Sequence, residues 1–297
     1  MPMTPAWIAA DWGTTNLRVW AMSADGEILA SAQSDQGMGK LAPEQFEGAL
    51  LELVADWLHE PTTVIACGMV GARQGWVEAQ YLSVPAKPLG GALTEAVTAH
   101  PNLDVRIIPG MMQSQPADVM RGEETQIAGF LARNKNWDGV ICLPGTHTKW
   151  VHISAEEVVS FQTVMTGDLF AAICGHTVLR HSITDGWNEN GFKQGLDDAM
   201  SRPERLAARL FALRAEGLLH GLDNATARAR LSGLLIGAEL AATKPYWLGQ
   251  QVAVIGQGNL AKLYIDALAT VSVPATQVQN DAVTLAGLTA AYRAFKE

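Results

Sequence analysis

Twice in this chain a short apolar strand runs into a turn of glycine and small polar residues and straight out again as a second strand. That repeated device restricts the fold more than any other feature, because it makes the two halves read as distant structural repeats. The first copy is "IAADWGTTNLRVWAM", residues 8–22. Ile8 to Ala10 read as a buried strand, Leu17 to Met22 alternate enough to pair back against it, and Asp11 to Asn16 form the tip. Gly13 is able to take φ > 0 and lets the backbone approach a ligand, while Thr14, Thr15 and Asn16 offer hydroxyl, amide and main-chain donors. Such a tip suits a phosphate. Asp11 repels that phosphate unless a cation intervenes, which implies Mg2+, a hard ion that takes one or two carboxylates plus phosphate oxygens. The second copy is "VICLPGTHTKWVHI", residues 140–153. Here Gly145, Thr146 and Thr148 repeat the main-chain N–H and hydroxyl groups, and Lys149 adds charge if its stem turns inward. An ordinary polar turn explains either hairpin alone, but two such tips facing each other clamp a polyphosphate from both sides.

A third signal is "VAVIGQGNLAKLYIDALA", residues 252–269. An apolar strand enters Gly256-Gln257-Gly258-Asn259, and Leu260, Leu263, Tyr264, Ala267 and Leu268 give the following helix an apolar face. This places main-chain donors at a helix N-terminus, where adenosine or phosphate approaches closely. A generic strand-to-helix turn explains it too, since the third glycine of the dinucleotide fingerprint is absent.

Elsewhere strands alternate with helical stretches, which points to an α/β chain. Residues 44–59 carry Phe46, Leu50, Leu53, Val54 and Trp57 at helical spacing. The strand "TVIACGMVG" follows, then a Gly/Pro-rich stretch from Gly71 to Gly91, a helix expected at 92–99 and the strand "VRIIPG". A break at "GMMQSQP" suggests a first domain over 1–113 and a second over 114–297. The closing "DAVTLAGLTAAYRAF" reads as a small-residue helix able to pack tightly across the domain junction. With 297 residues, 48% hydrophobic and 17% charged, the composition is that of a globular protein. A formal charge of −9 argues against nucleic acid or an anionic membrane as partner, so any anionic substrate must be met by particular arginines. Three scattered cysteines suggest neither a metal site nor a disulfide. The start "MPMTPAW" has no signal-like pattern and no apolar run reaches about 18 residues, so a soluble, cytoplasmic protein is expected.

Taken in order, acid-bearing hairpin, glycine-threonine hairpin and strand-GxG-helix resemble the phosphate-1, phosphate-2 and adenosine motifs of the actin, sugar kinase and heat-shock ATPase superfamily. The resemblance implies two ribonuclease-H-like domains with the active site in the cleft between them. A more specific resemblance, over nearly the full length, is to the 2-dehydro-3-deoxygalactonokinase family, carried by "DWGTTNLR", "GMVGARQGW", "RGEETQIAG", "LPGTHTKW" and "MTGDLFAAI". It implies transfer of phosphate from MgATP to the 6-hydroxyl of 2-dehydro-3-deoxy-D-galactonate, in galactonate degradation. The alternatives are a kinase for another sugar acid or small carboxylic acid, or an ATPase or sensor of the same fold. Oligomeric state, including a homo-oligomer, is left open.

A sugar acid calls for a cation at its carboxylate, and a guanidinium fork is the usual solution. Arg18 and Arg73 lie beside glycine-rich turns and Arg121 precedes a helix; Arg73 is the first choice, with a plain surface arginine as its alternative. Trp76 walls the sugar site or belongs to the core, and His147 touches ATP or is simply a turn residue. Asp168 in "MTGDLF" is expected to cap the following helix or to contact a substrate hydroxyl. In related sugar kinases the catalytic base sits at the start of the helix preceding the second phosphate hairpin, here "RGEETQIAGFL". On a helical wheel set by Ile127, Phe130 and Leu131, Glu123 lies roughly 30° from the buried direction and Glu124 roughly 65°. Glu123 is therefore expected to look inward as the base, Glu124 to be a second contact to substrate or Mg2+, and Asp168 the reserve. Two solvated acids favoured by the helix's positive end would explain the pair equally.

Overall fold

Short runs of apolar residues buried on both faces form the centres of the two larger sheets. In the computed structural model, which describes residues 4–297, the chain divides into two compact units. Unit 1 runs to Trp137 and adds Ile153–Ser160 and Gln279–Glu297; unit 2 holds Asp138–His152 and Phe161–Val278. Of the opening stretch read above, residues 1–3 lie outside the described residues.

Unit 1 begins with β1 (Trp7–Trp12), β2 (Leu17–Met22), β3 (Ile28–Ser34), α1 (Phe46–Val54), β4 (Thr62–Gly68), β5 (Tyr81–Ser83) and β6 (Thr94–Ala96). It continues through β7 (Leu103–Ile107), β8 (Gly110–Gln113), β9 (Asp118–Met120) and α2 (Glu123–Arg133). The main sheet has the order β3-β2-β1-β4-β7-β6, and β5-β8-β9 form a small second one. Strand β1 pairs antiparallel with β2 and parallel with β4. Being central, β1 is buried on both faces, whereas the edge strand β3 stays largely exposed. Trp12, Phe46 and Trp76 pack ring against ring, so Trp76 stands against the core of unit 1. The helix expected at 92–99 is instead the edge strand β6. Eight residues make a marginal helix, while pairing with β7 sets Glu95 opposite Arg106, with an ion pair of 2.8 Å.

The rest of the chain comprises β10 (Gly139–Leu143), β11 (Thr148–Ser154), β12 (Glu157–Val164), α3 (Thr166–His176), α4 (Glu189–Ser201), α5 (Leu206–His220) and α6 (Asn224–Ala242). There follow α7 (Lys244–Trp247), β13 (Val252–Ile255), α8 (Gly258–Thr270), β14 (Ala275–Val278) and α9 (Asn280–Lys296). The sheet order is β12-β11-β10-β13-β14. As in unit 1, the second and third strands lie on one side of the first and the later ones on the other, with β10, β13 and β14 parallel.

Helix α9 returns the chain to unit 1 and packs on α2 there. The two helices approach backbone to backbone: a Cβ on Gly129 would lie 1.8 Å from the Val283 carbonyl oxygen, and one on Gly287 2.0 Å from that of Thr125. Among the described residues no helix is long and apolar enough to cross a membrane.

Candidate active site

In unit 1 the parallel register sets Asp11 opposite Cys67 at the ends of β1 and β4. The chain then turns at Gly68 and Gly122, both with φ near +100° (94° and 104°), a region open to glycine and costly to other residues. A Cβ on Gly122 would meet the Gly68 Cα at 3.2 Å, so this contact brings the start of α2 onto the end of β4. Asp11 and Glu124 thereby both come to act on Cys67, and Glu123 stands next to Glu124 at the start of α2.

The Asp11 carboxylate is half-buried. Its Oδ2 accepts from Arg18 Nη2 at 2.5 Å, and the Cys67 thiol lies 3.8 Å from its Oδ1. Arg18 also donates to Asp281 at 2.6 Å, so this arginine, expected at the substrate, is tied between two carboxylates. Burial works against its charge, but Asp11 and then Asp281 outweigh it and raise its pKa. The tip itself departs from expectation at Gly13, whose φ is not positive. Its shape comes from partners in "GMGK" that sequence reasoning missed: Gly37, Met38 and Gly39 donate to the carbonyls of Thr15, Gly13 and Thr14 at 2.9–3.0 Å. Thr14, Thr15 and Asn16 are exposed.

At the start of α2 the structure reverses the order expected for the two acids. Glu124 is fully buried and Glu123 half-buried. The wheel was set by large apolar residues, but Thr125, Ala128 and Gly129 are buried too because α9 lies against them, and that turns the buried face toward Glu124. Glu124 accepts from the Gly122 N–H at 2.7 Å and the Thr125 hydroxyl at 3.2 Å; Glu123 accepts from the Arg121 N–H at 3.1 Å. The Arg121 side chain is buried, donating to the Ala79 carbonyl at 2.8 Å and lying 4.3 Å over the Tyr81 ring. Arg73 is exposed, its nearest acid Glu78 at 3.4 Å.

Burial, reinforced by the neighbouring Glu123 charge, pushes the Glu124 carboxyl up from its ordinary 4.5 to about 8, against the backbone N–H groups that favour its ionised form. Between those two values the folded chain keeps a proton that the unfolded chain has lost. The stability this supplies is complete at lower pH and is lost as pH rises toward about 8. Glu124→Gln, which has nothing to ionise, is expected to flatten this dependence. Urea unfolding at about pH 5.5 and about pH 8 measures it; equal losses in wild type and variant contradict the assignment.

Unit 2 contains a cavity of about 820 Å3, within the range of small-molecule sites. Its lining includes Gly145 and Thr146 of the second hairpin, Thr166 and Gly167 at the start of α3, and Asn259 and Leu260 of α8. Phe170 also lines it, with the Arg228 guanidinium 5.0 Å from its ring. Thr148 and Lys149 are both buried, the first bonded to the Tyr264 hydroxyl at 2.9 Å and the second donating to the His147 carbonyl at 3.2 Å. Gly256 donates its N–H to the Val278 carbonyl, and Gly258, with φ of 68°, turns the chain so that Asn259 and Leu260 reach the cavity.

Asp168 does not cap α3. The helix starts two residues earlier, at Thr166, because Gly167 packs on the hairpin backbone, where a Cβ would lie 2.4 Å from the Gly145 carbonyl oxygen. Asp168 instead donates its N–H to the Thr146 carbonyl at 3.0 Å and sets its carboxylate 3.5 Å from His147.

The family model described as 2-keto-3-deoxy-galactonokinase matches residues 11–291. The chain is 41% identical over 301 residues to a Rhizobium meliloti protein named "Probable 2-dehydro-3-deoxygalactonokinase", with 96% of each covered. It is 36% identical over 292 residues to the 2-dehydro-3-deoxygalactonokinase of Escherichia coli, covering 96% of this chain and 97% of that one. A crystal structure from Sinorhizobium meliloti, provisionally assigned the same activity, matches with a TM-score of 0.90 at 38% identity over 97% of this chain and 96% of that one. A Porphyromonas gingivalis structure provisionally assigned as an N-acetylglucosamine kinase, TM-score 0.50 at 12% identity over 98% and 100%, shares the fold alone. That fold is the mixed α/β one of actin-like ATPases and sugar kinases. Since the matched span takes in both hairpins, the glutamate pair and the third glycine turn, the chain belongs to the 2-keto-3-deoxy-galactonokinase family.

Proposed function

We propose that this chain transfers the γ-phosphoryl group of ATP to the 6-hydroxyl of 2-dehydro-3-deoxy-D-galactonate, a cytoplasmic step in galactonate breakdown. What carries the reading, beside the family, is the gathering of Asp11 with Glu123 and Glu124 where β1, β4 and the start of α2 meet. ATP occupies the unit 2 cavity, its base against apolar residues such as Phe170 and Leu260 and its phosphates toward Gly145, Thr146 and Gly167. Glu123 accepts the 6-hydroxyl proton as that oxygen bonds to the γ-phosphorus and the bond to the β-phosphate oxygen breaks, releasing ADP. Glu124, sealed beneath it, holds the start of α2.

Asp11 would hold Mg2+. Among the described residues no three acidic, histidine or cysteine groups form a metal cage, and a single partly exposed carboxylate would suit a hard ion that takes few protein ligands. When bound, the ion offsets phosphate charge. Arg18 keeps the Asp11 carboxylate in place. Arg73 meets the sugar-acid carboxylate: Arg73→Ala is expected to raise KM for the sugar acid by about tenfold or more with KM for ATP unchanged, and equal effects on both would remove it from this role.

ADP release coupled to a dye, over a panel of 2-keto-3-deoxy sugar acids, tests the reading. Turnover should require the acceptor and favour the galacto acid. Faster turnover of the gluco epimer, or equal ADP release without acceptor, overturns it.

A further inference from the structure

Behind the wall of the unit 2 cavity one carboxylate gathers hydrogen bonds from three separate elements. Glu239, on α6 and almost fully buried, accepts from the Trp150 indole of β11 at 2.7 Å, from the Tyr264 hydroxyl of α8 at 2.7 Å and from the hydroxyl of Thr166, the first residue of α3. Tyr264 spends its proton on Glu239, so the 2.9 Å contact to Thr148 is donated by the threonine. A chain of donors thus runs from Thr148, two residues past the Gly145–Thr146 tip, through Tyr264 to Glu239. Thr166 and Tyr264 themselves line the cavity.

Resting on the reading of this cavity as the nucleotide site, we propose that Glu239 is a positioning residue for the nucleotide. It touches neither substrate nor phosphate; it fixes the second hairpin, the start of α3 and the wall of α8 against one another. Its own position is rigid, because α6 packs on α4 backbone to backbone: a Cβ on Gly233 would lie 2.1 Å from the Phe192 carbonyl oxygen, and one on Gly195 2.3 Å from that of Arg230. The carboxylate also settles what the wall offers. With their protons directed at Glu239, the hydroxyls of Thr166 and Tyr264 do not donate into the cavity, whose other side-chain donors include Arg228, Ser232, Asn259 and Lys262. A buried carboxylate with all its donors in place is worth keeping only while every partner stays in register.

The test uses the full chain and three measurements: KM for each substrate, ADP binding by calorimetry, and melting temperature with and without ADP. Glu239→Gln is expected to raise KM for ATP and Kd for ADP about tenfold while KM for the sugar acid stays within about twofold. Tyr264→Phe, which keeps the ring and removes the relay, should move the same quantities in the same direction by a smaller factor, and it serves if the Glu239 variant fails to fold. Melting temperature without ADP should fall in both variants, because each leaves a buried donor or acceptor unpaired, and the rise on adding ADP should shrink as well. Variants that melt lower but bind ADP and use ATP normally make Glu239 a core residue only and overturn the proposal. Wild-type protein that takes up no ADP overturns the nucleotide reading itself.

Discussion

Asp11→Asn is expected to lower kcat by about 10^2–10^3 without disturbing the fold, the scale on which a single electrostatic contact to transferring charge is usually felt. Asparagine keeps the shape of the side chain at the end of β1 and still faces Arg18, which retains its second partner, Asp281. What it lacks is the charge that would hold Mg2+ against the phosphates. Turnover should therefore fall, and the Mg2+ concentration needed for half-maximal rate should rise, while the urea midpoint stays near wild type. Near-normal turnover at ordinary Mg2+ contradicts the role given to Asp11.

Glu123→Gln should cost about 10^2–10^4 in kcat with ADP binding retained, as expected for loss of a general base. The two glutamates are separated by what surrounds them. Glu124 is sealed between Gly122 and Thr125 and held protonated up to about pH 8, so it neither reaches a substrate nor accepts a proton at neutral pH. Glu123 is half-exposed at the same helix end. Glu124→Gln should consequently leave kcat within a few-fold of wild type and act on stability instead. If Glu123→Gln stays active while Asp168→Asn is dead, the base lies after the second hairpin; if Glu124→Gln is the dead variant, its partner was misassigned.

The strand-turn-strand tips and the strand entering "GQG" were legible because their information is local. Alternating or continuous apolar residues fix β1, β2, β10, β11 and β13, and glycine with small polar residues marks where the turns fall, while the shape of the first tip comes from Gly37, Met38 and Gly39. What stayed hidden depends on partners far along the chain. Arg18 looked like a substrate ligand because Asp281, 263 residues away, carries no signal near it. Thr148 looked like a phosphate donor, yet its hydroxyl belongs to Tyr264, 116 residues on. The order of Glu123 and Glu124 turned on α9, which buries the small-residue side of α2 that a wheel weighted by large apolar residues ignores. Asp168 looked like a helix cap because nothing local reveals that Gly167 fits against the hairpin backbone.

The most direct test of the account is the chemical identity of the product. Protein, MgATP and 2-dehydro-3-deoxy-D-galactonate are incubated together and the product is read by phosphorus–proton correlation. One ADP should form per phosphorylated sugar acid, with the phosphorus coupled to the C6 methylene protons. Phosphorus coupled to another position, or ADP formed with the sugar acid unchanged, contradicts the account.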